Sequence, residues 1–229
     1  MTPHIFRYVV RYDGGSAPRP YGGVCTLAIC KPGIRRGAAI NDWIIGFRSC
    51  AHDKVVYVMQ VANQKSLGEY WYDAHFRDRR PGASPVPDNI YQPDANGNLE
   101  QVPNKVYDLR NRDTDISGTN ALIGVRFWYF GANSPTLPTN LIHLVPYARN
   151  YTVYKNRRAD DVKNLEHWLA TWPCGVYGEP INASPEMLAW LASAKTDEMQ
   201  SPVNRYTECN RSVTDAAPQT SASTTRCRR

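Results

Sequence analysis

The chain has no long hydrophobic run. Its most apolar stretches, Val55 to Met59 and Leu141 to Val145, fall far short of the roughly 20 residues that a membrane-spanning helix needs. The N-terminus lacks a charged segment followed by an apolar one, which predicts no export leader. Cysteine is scarce: Cys25, Cys30, Cys50, Cys174, Cys209 and Cys227 form no Cys-x-x-Cys pair and are too irregular for a disulfide scaffold, so a reduced, cytoplasmic setting is expected. His4, His52, His75, His143 and His167 are scattered without His-x-x-x-His spacing, so no metal is expected. Gly-x-Gly-x-x-Gly and Walker-type phosphate loops are missing, and with them the case for a nucleotide cofactor. No Gly-x-Ser-x-Gly elbow is present, and no cysteine has a partner histidine that would mark it as a nucleophile.

What is there is the composition of an ordinary globular protein, with 229 residues of which 42% are hydrophobic, 11% aromatic and 21% charged. Such a chain buries one core. The expected organisation is a single domain over residues 1–199. Beyond about Gln200, Ser, Thr, Ala, Pro and Arg replace large apolar residues, which predicts a disordered basic tail over 200–229. The formal net charge of +6 is uneven: the first fifty residues hold Arg7, Arg11, Arg19, Lys31, Arg35, Arg36 and Arg48 against Asp13 and Asp42. That asymmetry favours a polyanionic partner, or else describes a solvated surface.

Six segments rich in β-branched and aromatic residues read as strands: His4 to Tyr12, Val24 to Cys30, Trp43 to Phe47, Lys54 to Val61, Ala121 to Trp128 and Asn140 to Pro146. A capping box, Ser66 with Glu69, opens a helix expected over Leu67 to Arg77. Asp160 is placed to cap a second helix, with Val162, Leu165, Trp168, Leu169 and Trp172 on one stripe, and Ser184 with Pro185 starts a third that fades near Lys195. Between Pro81 and Gly118, Pro, Asn, Asp and Gly predict a long loop. Strands preceding helices without regular alternation imply an α+β fold: a curved, mostly antiparallel sheet or barrel-like core with peripheral helices.

Three stretches carry possible chemistry. The first strand delivers Asp13 into a Gly- and Pro-rich loop, where a carboxylate sits near a ligand that backbone amides approach closely; an Asp followed by two glycines is more often a plain turn. Arg11 lies two residues before it. Lys31, Arg35 and Arg36 form a basic cluster suited to phosphate oxygens or to water. The run from Glu69 to Arg80 interleaves aromatics with arginines, as a stacked base with flanking phosphates requires. There Tyr70, Trp71 and Ala74 have core spacing, while Asp73, Phe76, Arg77 and Arg80 are candidates for contact, as are Asp88, Asn89, Tyr91 and the run Phe127 to Phe130.

The chain resembles a bacterial and phage family, the nucleotide modification associated domain, second family. The resemblance is carried by YVVRYDGGSAPRPYGGVCTLAICKPGIRR at Tyr8 to Arg36, NDWIIGF at Asn41 to Phe47, VVYVMQV at Val55 to Val61, EYWYDAHFRDRRP at Glu69 to Pro81, DNIYQP at Asp88 to Pro93 and FWYFG at Phe127 to Gly131. It implies association with DNA base modification and phage defence, and a barrel-like fold similar to that of modified-base readers. It is also similar to defence glycosylases that remove bulky phage-type bases such as glucosylated hydroxymethylcytosine.

Two readings follow. In the first, the protein is a DNA N-glycosylase in antiviral defence: it flips a modified base out of double-stranded DNA and hydrolyses the N-glycosidic bond. Asp13 would stabilise the sugar's charge and orient water, and Arg11 would assist. Lys31 would hold a phosphate or attack as a Schiff-base nucleophile. Arg7, Lys31, Arg35, Arg36, Arg77 and Arg80 would bind DNA, and Tyr12, Tyr21, Trp71, Asp73, Phe76, Asp88, Asn89 and Tyr91 would form the base pocket. In the second, the same pocket reads the base without reacting; a base-modifying transferase or a metabolic nucleotide enzyme stands behind both.

Overall fold

A computed structural model describes residues 3–146, 151–155, 158 and 160–198. The elements in chain order are β1 (Ile5–Val10), β2 (Cys25–Leu27), α1 (Pro32–Gly37), β3 (Trp43–Arg48), β4 (Ala51–Gln60), β5 (Asn63–Ser66), α2 (Leu67–Tyr72), β6 (Tyr91–Pro93), β7 (Leu99–Gln101), α3 (Arg112–Ile116), β8 (Asn120–Gly124), β9 (Arg126–Tyr129), β10 (Thr152–Tyr154), α4 (Asp161–Leu169), β11 (Gly175–Val176) and α5 (Pro185–Glu198). The fold is α+β. Its principal sheet is open, in the order β10-β1-β3-β4-β9-β11, with antiparallel pairs except at β1–β3 and β9–β11. A second sheet, β2-β8-β5, is antiparallel throughout. The sheets do not close into a barrel.

The principal sheet is covered on both faces, because successive side chains along a strand point to opposite sides. On β3, Trp43, Ile45 and Phe47 face one core while Ile44 faces the other. On β4 the alternation slips once, at register shifts opposite Gly46 and Phe47, so Val55 and Val58 share a face and Val56, Tyr57 and Met59 share the other. One extra residue at such an irregularity changes which side chains follow inward. The first core joins the two sheets: Phe6, Tyr8, Tyr57 and Tyr129 of the principal sheet pack with Cys25, Leu27 and Leu122 of the second. The other core packs Trp43, Trp128 and Phe130 against Leu165 and Leu169 of α4 and Leu141 and Leu144.

Several local expectations hold. The Ser66–Glu69 capping box is complete, with Glu69 N donating to Ser66 Oγ at 3.1 Å and Ser66 N to Glu69 Oε2 at 2.8 Å. Ser184 Oγ accepts from Met187 N at 3.1 Å at the start of α5. Others are corrected. The helix expected to Arg77 breaks at Asp73, and Ala74–Arg79 is a 3-10 segment capped by Asp73, whose side chain accepts from His75 N. Residues Asn140 to Pro146 are not a strand: Thr139–Leu144 forms 3-10 turns that bury Leu141 and Leu144. Ala121 to Trp128 divides between two sheets as β8 and β9. The loop expected over Pro81 to Gly118 contains the β6–β7 hairpin and α3. Asp160 makes no side-chain cap. The tail expected over 200–229 lies outside the described residues. Cys25, Cys30 and Cys50 are free thiols, whereas Cys174 is disulfide-bonded, so the expectation of a fully reduced set holds only for the first three. No helix among the described residues is long and apolar enough to cross a membrane.

Candidate functional site

The arginines and lysine expected to grip phosphate do not converge. Arg35 is fully buried, with Nη2 at 2.8 Å from Asp115 Oδ1 and Nε donating to the Cys30 carbonyl at 2.8 Å. It ties α1 to α3, and its donors are engaged inside the protein. Arg7 lies at the other end of the sheet, donating to Thr152 Oγ1 at 3.0 Å and the His143 carbonyl at 2.6 Å, and it stacks on Tyr154. Arg36 is exposed and donates to the Ser117 carbonyl at 2.9 Å. Arg77 is exposed. Arg80 lies 4.3 Å over the Trp71 ring, a cation–π contact that covers both. Lys31 is half-buried with its Nζ 4.6 Å from the centre of the Tyr8 ring, and burial pushes its ammonium below the ordinary lysine range.

Most of the expected base pocket is interior. Trp71 and Phe76 are buried, the latter against Tyr70 at 4.5 Å. Asp88 accepts from Tyr70 Oη at 3.0 Å and from Thr26 Oγ1, and Asn89 Nδ2 donates to the carbonyls of Tyr70 and Phe76. Tyr91 donates to Asp115 Oδ2 at 2.7 Å. Asp73 caps the 3-10 segment and meets Lys65 at 3.2 Å. Tyr12 is 70% exposed. Apart from Tyr12, each polar group named here is committed to holding the fold, as buried polar groups must be. Tyr21 is the exception.

Tyr21 stands in the wall of a hollow of about 640 Å³, within the size range of small-molecule sites. Phe127, Tyr177 and Trp190 add aromatic surface, Gly22, Gly23, Gly175 and Gly178 add bare backbone, and Asn133 and Glu179 add polar side chains. Among the described residues no Lys or Arg lines it. The loop that carries Tyr21 is clamped from within: Arg19 and Arg79, both buried, each donate to the Tyr21 carbonyl. Gly22 and Gly23 then turn with φ of 77°, a region open to glycine at little cost. The Tyr21 hydroxyl is buried without a hydrogen-bond partner, and burial together with the nearby Asp13 carboxylate pushes it well above the ordinary tyrosine range.

The opposite wall is held equally firmly. Tyr177 N donates to the Tyr129 carbonyl, Ala132 N to the Glu179 carbonyl, each at 2.8 Å, and Asn133 Nδ2 to the Tyr177 carbonyl at 2.7 Å. A Cβ on Gly178 would strike the Phe130 carbonyl oxygen, so glycine is what permits this approach. Asp13 lies just behind. Its carboxylate accepts from Tyr129 Oη at 2.8 and 2.7 Å and from Ile181 N at 3.2 Å, and its backbone exchanges hydrogen bonds with Asn182. Burial raises its carboxyl above the usual carboxylate range, against the lowering effect of the Tyr129 hydrogen bond. Asp13 is therefore not among the lining residues and does not face out with Arg11, which is exposed after β1 has ended at Val10. Asp13 fastens the first strand to the chain that follows Glu179.

Sequence reasoning missed Tyr177, Glu179 and Trp190. They sit on the connection after α4 and on α5, where no motif or period distinguishes a lining residue from a packed one. Among the described residues no group of His, Cys, Asp and Glu is placed to hold a metal ion. A family model described as nucleotide modification associated domain 2 matches residues 2–187. No curated protein and no solved structure matches the chain.

Proposed function

The chain belongs to the nucleotide modification associated domain 2 family, and from that premise we propose that the protein takes up a modified nucleobase, presented by DNA, in the hollow beside Tyr21. The observation that carries the reading is the lining itself: four aromatic side chains, bare glycine backbone and, among the described residues, no cation. Every base has a π-face that stacks on aromatic rings, and a pocket without Lys or Arg suits the base rather than its phosphate. A flipped base leaves its phosphates outside the hollow.

A hydrolytic form of this reading is favoured by one observation, the presence of Glu179 in the wall. In N-glycosidic hydrolysis the C1′–N bond breaks with its electron pair leaving on the base. A water oxygen bonds to C1′, and the water proton passes through a carboxylate to the base. Glu179 takes the role that sequence reasoning placed on Asp13, because Glu179 lines the hollow and Asp13 is buried behind it.

The test is incubation of the protein with phage DNA carrying modified bases and with unmodified DNA, scoring retention and alkali-labile abasic sites. Retention of modified DNA alone supports the binding reading, and lesions in modified DNA alone support the hydrolytic one. Equal retention of both DNAs without lesions overturns the proposal.

A further inference from the structure

One wall of the hollow beside Tyr21 is shared. Trp190 of α5 lines that hollow and, among the described residues, is the only one that also lines a neighbouring hollow of about 500 Å³. The neighbouring hollow is walled chiefly by Pro81, Ala83, Pro85, Pro87 and Pro103. Its polar side chains are engaged within the protein or exposed. Ser84 Oγ accepts from Val86 N at 3.2 Å, Asn104 Oδ1 accepts from Val106 N at 3.1 Å and from Tyr107 N at 2.8 Å, and Lys105 meets Glu186 at 3.9 Å with both side chains exposed. Such a space suits an apolar group, whose burial leaves no polar partner unsatisfied.

The half-buried indole is held from two sides. Its ring stands 5.5 Å from that of Tyr21 at an interplanar angle of 83°, and the guanidinium of Arg19, which clamps the Tyr21 carbonyl, lies 6.0 Å from the indole centre. Met187 and Leu191 share its helix face and are buried with Tyr21 and Val86 in a cluster separate from the sheet cores. Trp190 and Leu191 lie beyond residue 187, where the match to the family model stops, so this wall comes from chain outside the matched domain. Because the two rings stand nearly at right angles, a base lying flat on Tyr21 meets the indole edge-on, and the edge is where a base carries its substituents. We propose, resting on the base-binding reading and deepening it, that Trp190 sets which substituents the hollow accepts. It is the partition that keeps a base with a short substituent on the Tyr21 side and bars a long apolar one from the proline-lined space.

The experiment uses the full chain and three duplex oligonucleotides that are identical except at one pyrimidine, which is unmodified or bears at C5 a propyl or a phenylpropyl group. Dissociation constants are measured by fluorescence polarisation at one fixed salt concentration, because backbone attraction varies steeply with salt. Wild type is expected to bind the propyl duplex more tightly than the unmodified one and about tenfold more tightly than the phenylpropyl duplex, since a steric wall discriminates by rejecting the wrong ligand. Trp190→Ala is expected to weaken the propyl duplex through the lost aromatic surface and to tighten the phenylpropyl duplex, so that the preference inverts. Trp190→Phe keeps a smaller wall and falls between the two. Leu188→Ala, on the exposed side of the same helix, keeps the wild-type preference. Equal binding of the propyl and phenylpropyl duplexes by wild type, both tighter than unmodified DNA, overturns the partition and leaves the base-binding reading standing. So does a Trp190→Ala protein that has the wild-type circular dichroism spectrum and retains the wild-type preference. Equal binding of all three duplexes by wild type overturns both. Should Trp190→Ala fail to fold, the wild-type comparison and Trp190→Phe decide the matter.

Discussion

Asp13 and Arg35 are the residues at which chemical type and location most clearly part company. Asp13 is buried and its carboxyl is raised, with desolvation the main cause. A group whose folded pKa is raised contributes stability that is fully present below its unfolded value, here 3.8, and is lost as pH rises through the folded value. Asp13→Asn removes that loss and keeps a carbonyl to accept from Tyr129. The melting temperature of D13N relative to wild type is therefore expected to rise as the pH is taken from about 4 toward neutrality; a pH-independent difference would show that ionisation of Asp13 has no part in it. Arg35 and Asp115 are both fully buried and 2.8 Å apart. Removing one partner of such a pair leaves an uncompensated buried charge, so Arg35→Met is expected to cost about 3 kcal/mol in urea unfolding. If Arg35 were a phosphate contact, the substitution would instead spare stability and weaken DNA binding.

At the scale of elements, the signals that act over three or four residues were legible. The Ser66–Glu69 box starts α2, and Ser66→Ala is expected to cost about 1 kcal/mol, read as a shift in denaturant midpoint without a change in slope. A loss of several kcal/mol would mean that Ser66 does more than cap. The same reasoning misread Asn140 to Pro146, where Leu141 and Leu144 are buried from 3-10 turns against α4. A short apolar run satisfies strand and helix periods alike, and packing chooses between them. Phe127 and Tyr129 alternate with Trp128 as a strand requires, yet only the placement of β9 beside β11 brings Phe127 to the hollow. Tyr177 and Glu179 were illegible for a similar reason: their position depends on Gly178 passing against Phe130, a contact between segments almost fifty residues apart.

For the molecule as a whole, the two sheets share one core through Tyr8, Tyr57, Tyr129, Cys25, Leu27 and Leu122. Opening either sheet exposes the apolar face of the other in this shared core, although each also packs against helices on its far side. Thermal unfolding followed by far-ultraviolet circular dichroism and by tryptophan fluorescence is accordingly expected to give coincident single transitions; two separated midpoints would show that the sheets unfold independently. The basic excess of the first fifty residues, legible in composition, does not become a basic face, because Arg19 and Arg35 turn inward and Arg7 is drawn to the far edge. Composition and short motifs by themselves determined the α+β class, the helix starts at Ser66 and Ser184 and the resemblance to the family, since each depends on neighbouring residues or on the identity of residues in a row. Tertiary structure alone decided which aromatics open onto a hollow and which carboxylate stands in its wall. Those outcomes depend on the meeting of β9, the loop after Pro20 and the chain around Gly178, segments far apart in sequence that are joined by packing and by hydrogen bonds between backbones.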